Sequence, residues 1–435
     1  MTLRAASVRI ALTTALLVAA CGGGSPRTTP ATQDSRSATT SEAAPAPTRA
    51  PDESEQLQQL LGTRAKALEL ADPEGYAATA VGAQRARDKR AATNAQTLPI
   101  ASVAMNAERT EIDGDRATLR VDMTYTFEDI DTEFVKRSRM TAVKTPAGWR
   151  IARDRPSSGA LAPWEHRRYR ARTSRHFLAL APSNLDVGSL MTDLELGRAR
   201  MRRALPGIKA PRKLLVIVAR TGRDTRALTK DYHTLSALMA VAEAQVRLSG
   251  PARRVSSVNG QRVFVLWSSY GARDTDERRK VIAHELVHAA LVKRSGGRVP
   301  AWLSEGIAMY AAGDQRVGEA GAILSGARLR DASKQDDVER VLSLRRLATP
   351  SSLDRLGAIP LTFAYSYAAA AAYAIAEKYD GVKTLLKLYA AFNSEKIEGS
   401  PGRKLNETVV RRTLNTSLSA LEDEIDAYAR ARSSV

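Results

Sequence analysis

The stretch His284-Glu285-Leu286-Val287-His288 places two of the chain's five histidines four positions apart, with a carboxylate directly after the first. An α-helix turns once in 3.6 residues, so positions i and i+4 share one face. Two imidazoles held that way can grip one metal ion, and the adjoining glutamate can reach a water on that metal. Taken alone, the pair also suits two buried structural histidines.

A catalytic zinc keeps three protein ligands and leaves the fourth position to water. The segment "VPAWLSEGIAMY" offers the third: Pro300 suits the first turn of a second helix, and Glu305 then lies on it. With that helix packed against the first, two His and one Glu meet the count. This donor set favours Zn2+ over other divalent metals. The chemistry is that of a water whose pKa falls toward about 7 on the metal.

The elements that must position these side chains are readable in part. Asp274 or Thr275 caps the first helix, Ser295-Gly296-Gly297 stops it, and Val281, Ile282, Leu286, Ala289 and Val292 give it an apolar surface. A strand is predicted at 261–269. Its Val263 to Leu266 portion suits either a free edge for an extended peptide or ordinary sheet core. Apolar strands are also expected in "RHFLALAPS" and "RKLLVIVAR", with helices around 187–204 and 231–248 and a nearly all-helical remainder from 300 onward. His166, among arginines, reads as a solvated surface residue. His176 and His233 read as structural, and the arginines from Arg198 to Arg203 as a solvated helix face.

With these residues in view, His284-Glu285-x-x-His288 and Trp302-x-x-Glu305-Gly306-x-Ala308 resemble the gluzincin metallopeptidases, specifically the peptidase MA-like family, over most of residues 163 to 435. The resemblance implies His284, His288 and Glu305 as zinc ligands and Glu285 as general base. Gluzincins often take a second oxyanion donor from a Tyr or His beyond the third ligand. No His follows His288 here, and matching "AYAIAEKYDG" to the family pattern selects Tyr365, with Tyr367 as runner-up and core packing as the plain alternative. The second string is also similar to aminopeptidase N. However, only sixteen residues separate His288 from Glu305, and the Gly-Ala-Met-Glu-Asn exopeptidase motif is absent. The implied activity is therefore that of an endopeptidase acting on peptides or proteins. The other class of reading is a non-catalytic lipoprotein that keeps this scaffold to bind a partner or wall component.

The N-terminus bears on location. Arg4 and Arg9 precede an apolar run from Ile10 to Ala20, too short to span a bilayer and suited to an export signal. Val18-Ala19-Ala20-Cys21 resembles the bacterial lipobox, which implies a lipidated Cys21 and anchoring at the outer face of the cell membrane. A plain secretory signal with an incidental cysteine is the alternative. Cys21 is the only cysteine, so no internal disulfide can form. The net charge of +19 over 435 residues would suit nucleic acid in a cytosolic protein. On an exported one it suits anionic wall polymers or phospholipid headgroups instead.

The expected organisation is a signal peptide over 1–20, a Gly/Ser/Thr/Pro-rich tether over 21–54, an α+β domain over 55–156 and a metallopeptidase domain over 157–435. In 55–156, a helix from Gln56 to Leu70 and a helical segment over 76–92 lead into an alternating strand at 117–127 and a further extended run at 133–144. A turn and a short strand at "GWRI" follow. This order resembles the cone-shaped nuclear-transport-factor-2-like fold. The fold class expected overall is α+β, mostly helical around the metal, with a small sheet at the start of the second domain.

Overall fold

The computed structural model describes residues 52–433, except 158–159, 230–238, 251–252 and 355. Cys21 and His233 lie outside the described residues. The fold is mixed α+β with two sheets.

Three helices open the described residues: α1 (Glu53–Glu69), α2 (Pro73–Ala78) and α3 (Gly82–Ala95). Asp52 caps α1 in a capping box with Glu55, which satisfies two otherwise orphan N–H groups. The segment expected as one helix over 76–92 is broken. Thr79 and Val81 exchange backbone hydrogen bonds with Ile151 instead, and a backbone committed to a strand cannot continue a helical ladder. Next comes an antiparallel meander of β1 (Ile100–Asp113), β2 (Arg116–Phe127), β3 (Phe134–Thr145) and β4 (Gly148–Pro156). Along β2 buried and less buried residues alternate, as a sheet covered on one face requires.

A single turn of helix, α4 (Pro163–His166), leads to a second sheet of order β5-β6-β7-β9-β8, formed by β5 (Tyr169–Thr173), β6 (Phe177–Pro182), β7 (Leu214–Ala219), β8 (Ala240–Ser249) and β9 (Arg254–Leu266). β6, β7 and β9 run parallel at its centre, and β8 pairs antiparallel with β9. β6 and β7 are buried throughout, the pattern of strands covered on both faces. On one face, Leu178, Leu180, Leu215, Ile217, Val241 and Phe264 share a core with Tyr125, Phe127, Phe134 and Trp164. On the other, Ala179, Val216, Val218, Val263 and Val265 pack with the helices that carry the site. The first sheet and the second thus share one core. Gly260 N–H donating to Glu133 O at 2.6 Å and Arg212 paired with Asp131 at 2.9 Å add polar links.

Three readings of the sequence are decided here. Residues 240–248, part of the stretch expected as helix, lie in strand β8. Its Ala, Glu, Gln and Arg content favours helix locally, but pairing with β9 decides the outcome. Val263 to Leu266 is not a free edge. β9 is flanked by β7 and β8, and among the described residues the edge on that side is β8. Trp267 and Ser268, expected in the strand, open the short helix α7 (Trp267–Tyr270).

Helices supply the rest: α5 (Gly188–Ala204), α6 (Gly222–Leu228), α8 (Thr275–Ser295), α9 (Ala301–Ala312), α10 (Gly318–Leu324), α11 (Gln335–Val341), α12 (Ala358–Lys378), α13 (Gly381–Phe392), α14 (Arg403–Leu414) and α15 (Leu418–Ala431). α12 is long and apolar enough to cross a membrane by length and composition, but it lies mostly buried within the fold. His166 is not a solvated residue: its Nε2 lies 3.0 Å from Asp224 Oδ1, with Arg167 on the same carboxylate. Arg198 is buried rather than on a solvated face, while Arg202 and Arg203 are exposed.

Candidate metal centre

α8 begins at Asp274, whose side chain accepts the Glu277 N–H at 2.9 Å. Its N-terminal half is pinned by Asp193 of α5, which accepts from Arg278 Nε at 2.8 Å and from the Tyr270 hydroxyl at 3.0 Å. Gly197 of α5 lies against Ile282 so closely that an added Cβ would sit 2.6 Å from its Cγ2. α8 is therefore fixed in depth and in rotation, with His284 and Glu285 buried.

α9 follows a short Gly-containing link and crosses α8. Trp302 Nε1 donates to Asn406 Oδ1 at 2.8 Å, and Asn406 donates on to Ala348 O at 2.9 Å. At Gly306 the helix touches α12 backbone, leaving no room for a Cβ. Both contacts set the position of Glu305, which lies one turn after Trp302 and directly before Gly306.

The structure brings His284, His288 and Glu305 together. His284 Nε2 lies 3.3 Å and His288 Nε2 3.5 Å from Glu305 Oε2, and the two Nε2 atoms are 3.2 Å apart. Three lone-pair-bearing atoms cannot all be satisfied by one another. Glu305 Oε2 and His284 Nδ1 are buried without a hydrogen-bond partner. Separations near 3.3 Å are also the edges of a tetrahedron whose metal–ligand bonds are about 2.0–2.1 Å, the zinc value for nitrogen and oxygen donors. The donor set and its orphaned oxygen fit a metal ion.

The charges are consistent with this fit. Burial opposes ionisation of Glu305, but the His288 and His284 imidazoles outweigh it and hold the carboxyl down at about 2. Burial works against a charged His288, and Glu305 more than offsets it, so its pKa is raised. Glu285 behaves in the opposite way to Glu305: burial dominates and pushes its carboxyl up. Two carboxylates beside the same imidazoles are thus driven apart, one toward permanent charge and one toward holding a proton.

Glu285 is tethered from an unforeseen direction. Its Oε2 accepts the Ala242 N–H of β8 at 2.7 Å, while Oε1 is buried with no partner. A backbone donor carries no side-chain signal, so the sequence could not reveal it. Tyr365 of α12 is buried with its ring edge-on to His284, centroids 6.2 Å apart. Tyr367 faces elsewhere and donates to Asp426 of α15 at 3.0 Å. Tyr389 of α13 joins His288 and Ala242 in lining a crevice of about 30 Å³. Sequence reading missed it because an aromatic at helical spacing reads as packing. His176 pairs with Glu195 at 2.7 Å, away from this group.

No protein-family model matches the chain, and no curated protein matches it. Among solved structures, it is similar to an M1 zinc metallopeptidase from Deinococcus radiodurans at 13% identity, TM-score 0.30, covering 77% of this chain and 62% of that one. A mutant of an M1 enzyme from that organism, bound to a Tyr-Ser-Ala substrate, aligns at 14% identity and TM-score 0.28, again over 77% and 62%. A protein of unknown function from Mycobacterium tuberculosis aligns at 21% identity and TM-score 0.21, over 25% of this chain and 72% of that one. The chain spans under two thirds of the metallopeptidase chains.

Proposed function

We propose that this chain is a zinc-dependent endopeptidase, anchored by lipid on Cys21 at the outer face of a bacterial membrane. The observation that carries the catalytic part is the convergence of His284 Nε2, His288 Nε2 and Glu305 Oε2 within 3.5 Å of one another, beside the buried, unpartnered Glu285 Oε1.

In this reading His284, His288 and Glu305 hold the metal. When bound, zinc supplies Lewis acidity toward the peptide carbonyl and makes hydroxide available near neutral pH. Glu285 uses Oε1 to accept the water proton and deliver it to the leaving nitrogen, while Ala242 N–H holds Oε2 and so fixes the carboxylate plane. Tyr365 donates its hydroxyl to the developing oxyanion. β8 is the element along which an extended substrate adds as a further strand.

The non-catalytic reading has one observation on its side. His284 Nδ1 is buried without a partner, whereas metal-bound histidines usually donate that nitrogen's proton to an acceptor. Metal analysis of the full-length chain together with cleavage of a quenched peptide library separates the two. About one zinc per chain with hydrolysis supports the peptidase; no bound metal, or metal without cleavage of any peptide, leaves the scaffold reading. Anchoring has its own test: Cys21→Ala should release the protein or stall its precursor, and unaltered processing with full membrane retention removes the lipid assignment. The excess of positive charge suits attraction to anionic wall polymers or headgroups.

A further inference from the structure

A second cavity, of about 320 Å³, opens between the last turn of α8, the start of β9 and one face of α13. Leu291 and Leu386 give it an apolar surface, and Arg254, Lys293 and Arg294 stand around it. Tyr389 lines both this cavity and the crevice that holds His288, so one aromatic ring is shared between the metal centre and the basic cavity.

The cations have little to neutralise them. Arg254 lies 3.5 Å from Glu395 and donates to Asn393 O at 3.1 Å. Lys293 and Arg294 are exposed and form no ion pair with the described residues. Asp131, the acid that feels Lys293 from a distance, is already held by Arg212. Basic residues in the last turn of a helix have an ordinary explanation, since they complement its dipole. That account covers Lys293 and Arg294. It does not cover Arg254, which another strand brings to the same cavity, or the apolar-floored space beside the three.

We propose that this cavity is a subsite for a carboxylate of the peptide substrate, either an acidic side chain or a free C-terminus. The inference rests on the endopeptidase reading above. The reach is right for it. Lys293 and Arg294 follow His288 by five and six residues, about 8–9 Å along the helix axis. An extended peptide advances about 3.3 Å per residue, so the carboxylate falls roughly two to three residues from the cleaved bond. The leucines take the methylene stem and the cations take the charge.

The test uses binding rather than turnover. The full-length Glu285→Gln chain is titrated against three fluorescein-labelled decapeptides of one alanine-rich scaffold, followed by anisotropy. One carries glutamates and an amidated end, one the matching glutamines and an amidated end, and one glutamines with a free carboxyl end. Tighter binding of the first over the second, by about tenfold, assigns the carboxylate to a side chain. The same gain for the third over the second assigns it to the C-terminus. In Lys293→Glu/Arg294→Glu, or in the milder Lys293→Gln/Arg294→Gln, the preference should fall to within about threefold. Arg202→Glu/Arg203→Glu, an equal charge change on the exposed face of α5, should leave it intact, which separates a local subsite from the general pull of a basic protein. Equal binding of all three peptides overturns the proposal, as does a preference that survives both double variants or vanishes equally in the α5 control. Absence of zinc or hydrolysis in the wild type would sink the peptidase reading without altering this comparison.

Discussion

Ala242 on β8 and Glu285 on α8 are joined by a 2.7 Å hydrogen bond from the backbone N–H to Oε2. This bond connects the outer strand of the second sheet to the candidate general base, leaving Oε1 as the only oxygen of that carboxylate free to act on a water. Glu305, one helix away, contacts both imidazoles directly. The two glutamates therefore differ in what their loss should do.

Glu285→Gln should keep close to one zinc per chain and lose hydrolysis, because the amide still accepts from Ala242 but cannot take a proton from water. Glu305→Ala should lose the metal itself. Thermal melting with and without added zinc gives a readout independent of turnover. Zinc at roughly a hundred times its dissociation constant adds about 2.7 kcal/mol to the wild type, and Glu305→Ala should show almost none of that gain. Normal zinc stabilisation in Glu305→Ala would take it off the ligand list.

The two tyrosines of α12 separate in the same manner. Tyr365→Phe should cut turnover on the order of a hundredfold, the usual cost of one oxyanion donor, with zinc content unchanged. The Tyr367 hydroxyl is spent on Asp426, so Tyr367→Phe should cost about 1 kcal/mol of stability and leave turnover alone. Unchanged turnover in Tyr365→Phe would assign that ring to packing against His284.

What the sequence made legible follows the locality of the interactions. His284, Glu285 and His288 share one helix, so spacing alone places them. Glu305 sits on the next helix after a short link, and packing of neighbours in sequence is the ordinary outcome. The N-terminal part of β1 buries only Val103 and Met105, and its remaining residues are mostly exposed, so it lacks the alternation by which β2 was found. β8 was misread because its partner β9, not its own residues, decides its conformation. The pairing of His166 with Asp224 spans 58 positions, and no local pattern encodes it.

That pairing supports a pH prediction. Asp224 accepts from His166, from Arg167 and from the N–H groups of Arg220 and Thr221 at 3.0 and 3.1 Å. Burial works against its charge, but the bonds from His166 and the Arg167 guanidinium prevail and hold the carboxyl below its usual range. A carboxyl with a depressed folded-state pKa stabilises fully above the unfolded value of about 3.9 and loses that contribution as pH falls through the folded value. Asp224→Asn should therefore cost about 2–3 kcal/mol near neutrality, and the gap should narrow at about pH 3. Chemical denaturation of both proteins at the two pH values checks this; an undiminished gap in acid would mean that charge is not what Asp224 contributes.

The glycine after Glu305 explains one letter of the Trp-x-x-Glu-Gly-x-Ala string and gives a prediction of sign. A Cβ at Gly306 would stand 2.5 Å from Ala368 O and 3.1 Å from Ala372 Cβ. Ala368 and Ala372 belong to the alanine-rich centre of α12, where small side chains let two helices cross closely. A backbone carbonyl cannot rotate aside as a flexible side chain can, so α9 and α12 must separate. Alanine favours a helix over glycine by about 1 kcal/mol, whereas overpacking costs about 1–3 kcal/mol. Gly306→Ala should therefore lower the melting temperature despite the better helix former. Because Glu305 rides on the same turn, its carboxylate shifts against His284 and His288, and zinc affinity should fall about 10- to 100-fold, the range typical of disturbing the support of a metal ligand. Gly62, exposed on α1 with nothing within 4 Å of an added Cβ, is the control: Gly62→Ala should raise stability by up to about 1 kcal/mol and leave zinc affinity untouched. Equal gains in stability from both substitutions, with zinc binding unchanged, would show that the α9–α12 crossing does not position the third ligand.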